Sequence, residues 1–481
     1  MRYLIYFFIF IISIITTIVL KDFIYNKFYF LIFTIVVNFY LIVSLSKKLA
    51  CFHIFMSIFL WLGFWFKFII AYFFSDLFFF DSQYIIDISH INKVLLVSTF
   101  GISGFLCSAL LNFKISDNSY SQDIENKLKN FNYFLNNYKN IILSMFIILV
   151  FFVAFLNLKF SLYQKGVISD VNLGLLTSAT LRWLLIFGFA SISSLLIYYS
   201  LLKKKLILHI FFMSLIENFV SSISMLSRGM FVNSMALFVG IYRYSQNNLI
   251  LKFNRSFFIS FIIFIILFFI SISVVQDLRN QKYFGSTTTQ DPEYRTVIKN
   301  ESINKVYNHG VEFIYLLSRR FVGIEGVSEV VNYKKLNFKL FFQALEEKKS
   351  DNRKTFYSSK IRCKDNCEND EEIIFFQPKN DKIFYIKVPG IIGFLYYSGS
   401  LFFLFFSSFM LGSFCMFTEK IISKMLCKNI IFASLISQVL AYRLLNFGYV
   451  PSNSYLILMA IIVNIVIIYI IYLVSAKLKI T

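Results

Sequence analysis

Several charged residues stand where charge is costly or in a spacing that invites chemistry. Arg228 lies in LSRGM between two closely spaced apolar runs, with Gly229 permitting the tight turn, and Arg443 lies in LAYRLLNFGYVP just inside the end of another run. Lys67 interrupts WLGFWFKFII, Glu217 interrupts SLIENF, and Arg319-Arg320 precede Gly323, Glu325 and Gly326 in a long polar stretch. An ionised side chain at mid-bilayer costs about 3 kcal/mol or more, so each one inside an apolar span is a candidate for function unless it can reach the interface. Snorkelling is the competing account for Lys67, Arg228 and Arg443, and a solvated helix face is the competing account for Arg319-Arg320. Pairing with a neighbouring helix is the expectation for Glu217. Guanidinium groups bind phosphate through two parallel N–H donors and keep their charge at any physiological pH. Arginines from separate regions at one membrane level therefore fit a diphosphate held at that interface, and the ligand implied is a phospho-lipid headgroup.

The elements that must position these residues follow from composition. The chain has 481 residues, of which 58% are hydrophobic, 20% aromatic and only 15% charged. Soluble chains carry about 25% charged residues, and the apolar runs here last about 18 to 25 residues, enough to cross a bilayer at 1.5 Å per residue. This excludes a soluble fold and a disordered tail. A first apolar helix follows Met1-Arg2 without a small-residue cleavage site and reads as retained. Further spans are expected near 28–46, 49–74, 94–112, 140–160, 183–202, 206–226, 229–244, 256–275, 389–417, 430–447 and 455–474. The fold class is therefore an all-α polytopic membrane protein with about twelve transmembrane helices. Residues 1–275 hold nine of them, 276–388 form one long loop, and 389–481 hold the last three.

The net charge of +21 would suggest nucleic acid in a soluble protein, but most basic residues here sit in short loops. Positive-inside bias accounts for them and no nucleic-acid partner is expected. Lys47-Lys48, Lys203-Lys204-Lys205, Lys252 with Arg255, and Lys420 with Lys424 and Lys428 fall on alternate connections, which puts both termini in the cytoplasm and the long loop outside. A loop of that length is normally functional. Within it, 303–318 and 321–347 carry apolar residues at three- and four-residue spacing and are expected as amphipathic helices on or near the membrane face. The segment 350–382 is rich in Lys, Asp, Asn and Glu and reads as solvated. Cys363 and Cys367 are the one close cysteine pair, a candidate disulfide without the second pair that a zinc site needs.

Five strings carry a resemblance: WLGFWFKF at 61–68, YQKG at 163–166, LSRGM at 226–230, SRRFVGIEGVSEVV at 318–331 followed by FFQALEEK, and VPGIIGFLYYSGSLFFLFF at 388–406. Spread over most of the chain, they resemble the O-antigen (oligosaccharide repeat-unit) polymerase family, Wzy. The resemblance implies a glycosyltransferase of the bacterial inner membrane, with its long loop in the periplasm. It would transfer a growing polysaccharide from undecaprenyl pyrophosphate to a lipid-linked repeat unit in lipopolysaccharide or related polysaccharide biosynthesis. Its partners would be the bilayer, the lipid-linked oligosaccharide and a chain-length regulator, with no cofactor and no metal. Arg228, Arg319, Arg320 and Arg443, with Lys67, would hold the departing phosphates, since preorganised cations stabilise such a leaving group. The attacking hydroxyl needs a proton acceptor, for which Glu325 is the first choice and His309 the second.

Rival readings differ in particular features. A lipid-oligosaccharide flippase shares the span count but has short loops throughout. A metal-dependent transferase would be expected to carry paired acids in its first external loop, where KDFIYNK has only Asp22; the pairs Asp291/Glu293 and Asp370 to Glu372 lie in the charged long loop. An O-antigen ligase uses the same donor with a different acceptor, and sequence separates it poorly from a polymerase. A transporter would be expected to show matched, broken half-helices at mid-membrane, and the chain has none evident.

Overall fold

The computed structural model describes residues 2–22, 26–45, 49–74, 88–111, 122–167, 169, 171, 174–202, 208–227, 230–247, 255–284, 321–347, 355–362, 388–426, 429–448 and 451–477. Every regular element among them is helical. Among the described residues seven helices are long and apolar enough to cross a membrane, and four shorter apolar helices accompany them.

The first half contributes α1 (Arg2–Asp22), α2 (Lys27–Ser44), α3 (Cys51–Leu60), a π-helical stretch (Trp61–Phe66) and α4 (Lys67–Phe74). It continues with α5 (Ile88–Leu110), α6 (Gln122–Phe160), α7 (Leu175–Trp183), a second π-helical stretch (Leu184–Gly188) and α8 (Phe189–Leu202). Then come α9 (Leu208–Ser224), α10 (Met230–Asn247) and α11 (Arg255–Phe284). The second half has two short helices, α12 (Ile324–Val331) and α13 (Phe338–Leu345), a π-helical turn (Tyr357–Arg362) and α14 (Gly390–Leu395). It ends with a 3-10 turn (Tyr396–Ser398), α15 (Leu401–Met425), α16 (Ile430–Leu445) and α17 (Pro451–Lys477).

Side chains fix how the long helices pair. Between apolar helices in an apolar solvent, close packing and interhelical hydrogen bonds do the work that hydrophobicity does in water. α2 and α3 run antiparallel: Ser44 bonds to Ser57, Tyr40 to His53, and Trp61 and Trp65 donate their indole N–H to Asn38 and Thr34. α5 and α15 run parallel and nearly touch, with Gly104 against the Phe405 carbonyl and Gly412 against Ser108. α10 and α16 run antiparallel, with Gly240 on Ile431 and the Ser434 hydroxyl donating to the Ala236 carbonyl at 2.8 Å. α3 and α16 run parallel, Phe59 meeting Tyr442 edge to face. One end of this assembly thus gathers the end of α3, the π-helical stretch and the last turn of α16. The other gathers the starts of α3 and α16 with the ends of α10 and α15, where Glu419 accepts from the backbone N–H of Cys51 and Phe52 and from the Ser437 hydroxyl.

Residues 321–347, 355–362 and 388–398 fold over the first end as a cap, and here the structure departs from expectation. The apolar run 389–417 is not one span. Gly399, at φ +73°, takes the left-handed conformation that favours glycine, Ser400 caps α15 by accepting from Phe403 N, and α14 stays in the cap as a separate short helix. The stretch 321–347 is two helices broken at Asn332 to Asn337, where Asn337 caps α13 through Leu340 N at 2.8 Å. α12 is buried in the cap, whereas α13 is amphipathic, burying Leu340, Phe341 and Ala344 and exposing Phe338 and Phe342. Part of the supposedly solvated 350–382 is packed: Thr355, Tyr357 and Ile361 are buried, and the Tyr357 hydroxyl donates to Glu329 of α12. Glu217 is buried, but its only hydrogen bond among the described residues comes from Ser221 of its own helix, so the expected partner on a neighbouring helix is not found among them. The helix expected at 303–318, the Cys363/Cys367 pair and the acid pairs at 291–293 and 370–372 lie outside the described residues.

Candidate functional site

The site is built where the cap meets the continuous rod made of α3, the π-helical stretch and α4. Trp61 and Trp65 tie the π-helical stretch to α2, and Lys67 is the first residue after it. A π turn holds one extra residue, which rotates the side chains beyond it relative to a plain helix, and such turns recur at functional positions. Its other side is open because Gly63 has no side chain, so the backbone of Val322 and Gly323 lies directly on it. That approach lets the cap come down on the rod.

Lys67 then reaches the cap. Its Nζ donates to Glu325 Oε1 at 2.6 Å and to the Phe321 carbonyl at 3.2 Å, the first of these contacts spanning 258 residues of sequence. It is the one ion pair among the described residues, and its side chains are 4% and 17% exposed. Glu325 is the second residue of α12, where the helix N-terminus favours a carboxylate. Its other oxygen, Oε2, is buried and has no hydrogen-bond partner among the described residues. Phe321 stacks on Phe59 of α3 at 5.6 Å, and Leu60, Phe64, Val322, Gly323, Gly390 and Leu445 line an apolar seam between rod and cap. Gly326 is pressed against the Pro389 backbone, which locks α12 to the start of α14.

Of the residues nominated from sequence, the structure brings Lys67 and Glu325 into contact. Arg443 lies half-buried near the end of α16, next to Tyr442, whose ring meets Phe59, and so at the same end of the assembly. No hydrogen bond or ion pair joins Arg443 to another described residue. Arg228, Arg319, Arg320 and His309 lie outside the described residues, although Arg319-Arg320 directly precede Phe321 in the chain.

Sequence reasoning missed two features of the cap. His90 of α5 bonds through Nε2 to the Ser328 hydroxyl at 3.0 Å, three residues and so about one turn along α12 from Glu325. It was findable as one of only four histidines in the chain. The second feature is a set of acids and tyrosines under the cap: Glu329 accepts from Tyr357, Glu347 Oε1 accepts from Phe356 N at 2.7 Å, and Tyr397 packs between Phe394 and Phe356. Burial pushes the Tyr397 phenol well above its usual range and the nearby Glu347 and Glu329 carboxylates push it further; burial also raises Tyr396. Among the described residues no three His, Cys, Asp or Glu side chains group as metal ligands would.

No family model, curated protein or solved structure matches the chain. A lysine offers three donors, of which two are used here, and an ionised carboxylate accepts through both oxygens, of which one is used. The arrangement can bind an anion through Lys67 and accept a proton through Glu325, and the present contact makes each the other's competitor.

Proposed function

We propose that the chain is a polysaccharide polymerase of the bacterial inner membrane, transferring a growing glycan from undecaprenyl pyrophosphate to a lipid-linked repeat unit at the periplasmic face. In this reading about twelve helices cross the bilayer, both termini are cytoplasmic, and the cap belongs to the long periplasmic loop. The observation that supports it best is the meeting of Lys67 and Glu325 at 2.6 Å. One was nominated as a phosphate-binding cation and the other as a base, from opposite parts of the sequence.

The roles follow from charge. Cleaving a glycosyl diphosphate releases an anionic leaving group, which Lys67 and Arg443 stabilise electrostatically, with Arg228, Arg319 and Arg320 as further donors; one such contact is worth about 3 kcal/mol in the barrier. Glu325 takes the proton of the attacking sugar hydroxyl.

Purified protein incubated with a defined lipid-linked repeat unit in the presence of a chelator should build a ladder of polymer. Lys67→Met and Glu325→Gln variants that reach the membrane at wild-type level should build none. Transfer to a lipid A core acceptor without any ladder would point to a ligase. A full ladder from Glu325→Gln would remove Glu325 as the base.

A further inference from the structure

The contact between Lys67 and Glu325 poses a problem that the proposed reaction leaves open, because a cation already neutralised by a carboxylate is a poor phosphate site and a carboxylate bound to a cation is a poor base. We propose that Lys67 anchors an anion site occupied in the resting protein by Glu325, and that a diphosphate ester displaces the carboxylate from it. The inference rests on the proposed polymerase reading for the identity of that ligand.

Three observations carry it. The first is that the pair is only half satisfied. A buried ion pair repays its desolvation when the remaining lone pairs and protons are bonded as well. Here Glu325 Oε2 is buried and unpartnered among the described residues, while Lys67 keeps one donor beyond its contacts to Oε1 and the Phe321 carbonyl. The contrast with Glu419, whose two oxygens together accept three hydrogen bonds, shows that this chain can saturate a buried carboxylate where it serves packing.

The second is the asymmetry of exposure. Lys67 is held in the rod and is 4% exposed, whereas Glu325 is 17% exposed and stands on the cap side. A ligand arriving from outside the rod meets the carboxylate first and replaces it without moving the lysine.

The third is how the two partners are mounted. Lys67 follows a π-helical stretch pinned to α2 by two indole N–H bonds. Glu325 sits in the first turn of an eight-residue helix that begins at a glycine without a side-chain cap. The cation is fixed by its element, while the Glu325 carboxylate is held by one side-chain hydrogen bond, so the exchange asks only for rotation of that side chain with α12 staying seated on Gly63 and Pro389. When a diphosphate takes Lys67, Glu325 Oε1 is vacated and can accept the hydroxyl proton, so the base is released only when the donor is bound.

The test uses the wild-type chain in detergent or nanodiscs and a water-soluble carbodiimide. The reagent activates the Glu325 carboxylate as an O-acylisourea; the Lys67 amine then displaces the urea, forming an amide with net loss of one water. Mass spectrometry should find the Lys67–Glu325 linked peptide in the resting protein. Its yield should fall with added inorganic pyrophosphate or farnesyl diphosphate but not with sulfate at equal ionic strength, with labelling of exposed carboxylates elsewhere as internal reference. Protection by farnesyl diphosphate at lower concentration than by pyrophosphate identifies the lipid carrier as the source; the reverse order identifies free diphosphate. In a second arm, Glu325→Gln should bind radiolabelled pyrophosphate about tenfold more tightly than wild type, as expected if the resting pair is closed about nine-tenths of the time, and Lys67→Met should abolish that binding. An undiminished link at saturating diphosphate, or Glu325→Gln binding no tighter, overturns the inference. Polymerisation by a protein whose link is not protected sinks the anion exchange alone. Protection in a protein that polymerises no lipid-linked oligosaccharide sinks the polymerase reading alone.

Discussion

Gly323 is the position where a single methyl group tests how the cap is seated. A Cβ there would fall inside the Gly63 carbonyl group and 2.7 Å from the Gly63 Cα, so the obstacle is backbone and cannot swing aside. Restoring an ordinary carbon–carbon separation of about 3.5–4.0 Å requires the cap to rise by about 1 Å or more. A displacement of that size along the Lys67–Glu325 direction would lengthen the 2.6 Å bond to about 3.6 Å, beyond hydrogen-bond range. Gly323→Ala should therefore cost at least about 1–3 kcal/mol, the usual toll of overpacking, and should abolish the carbodiimide link between the two side chains. Gly63→Ala should be the milder lesion, its Cβ meeting the Val322 carbonyl oxygen at 2.6 Å, and Gly174→Ala, whose nearest neighbour is the Thr177 hydroxyl at 3.8 Å, should be silent. Thermal unfolding in detergent followed by intrinsic fluorescence, with link yield measured on the same samples, reads both effects. A Gly323→Ala protein with wild-type melting and wild-type link yield would refute the close seating of cap on rod.

Three other outcomes are expected from the same geometry. Lys67→Met leaves a partly buried carboxylate unpaired and should destabilise toward the lower end of about 3–5 kcal/mol, while Lys67→Met with Glu325→Leu should recover much of that loss in the same melting assay; equal stability of single and double variants would contradict a buried pair. Because burial and neighbouring carboxylates raise the Tyr397 phenol above 10.0, the folded state holds that proton more tightly than the unfolded chain. Its stabilising contribution is full below pH 10 and is lost as pH rises beyond that toward the folded value, so melting should fall between pH 9 and 11 less steeply in Tyr397→Phe than in wild type. Phe341→Ala removes a buried ring that meets Phe342, Phe394 and Phe403 and should cost about 3–5 kcal/mol, whereas Phe342→Ser, on the exposed face of α13, should leave melting in detergent within about 0.5 kcal/mol of wild type.

The long helices were legible because run length and rise per residue fix them locally: the expected run 140–160 is the apolar part of α6, and 430–447 coincides with α16 within two residues. The split at Gly399 was legible in principle, since Ser-Gly-Ser interrupts the apolar run and Ser400 is a ready N-cap; apolar length alone outweighed that signal. The packed turn at 357–362 was not legible, because its buried side chains are few and set among Lys, Ser and Arg. Lys67 and Glu325 were each singled out, one for its cost in a span and the other for its place after an arginine pair. Their pairing was beyond reach, because nothing local in either stretch encodes a contact 258 residues away.

Three of the buried or partly buried carboxylates separate structure from chemistry. Glu419 receives two backbone N–H groups at the start of α3 and the Ser437 hydroxyl, so its two oxygens are satisfied and removing it would strip three donors at once. Glu217, inside α9, receives among the described residues only the Ser221 hydroxyl of its own helix. Of the three, Glu325 is the one in direct contact with a cation among the described residues, on one oxygen, at the seam between rod and cap. A carboxylate needed only to hold helices together gains most by saturation, as Glu419 does. One that must change partners during a reaction has to be held by few contacts, each replaceable by the incoming ligand. By that criterion the proposed transfer reaction belongs to the capped end of the bundle, and the saturated Glu419 belongs to its packing.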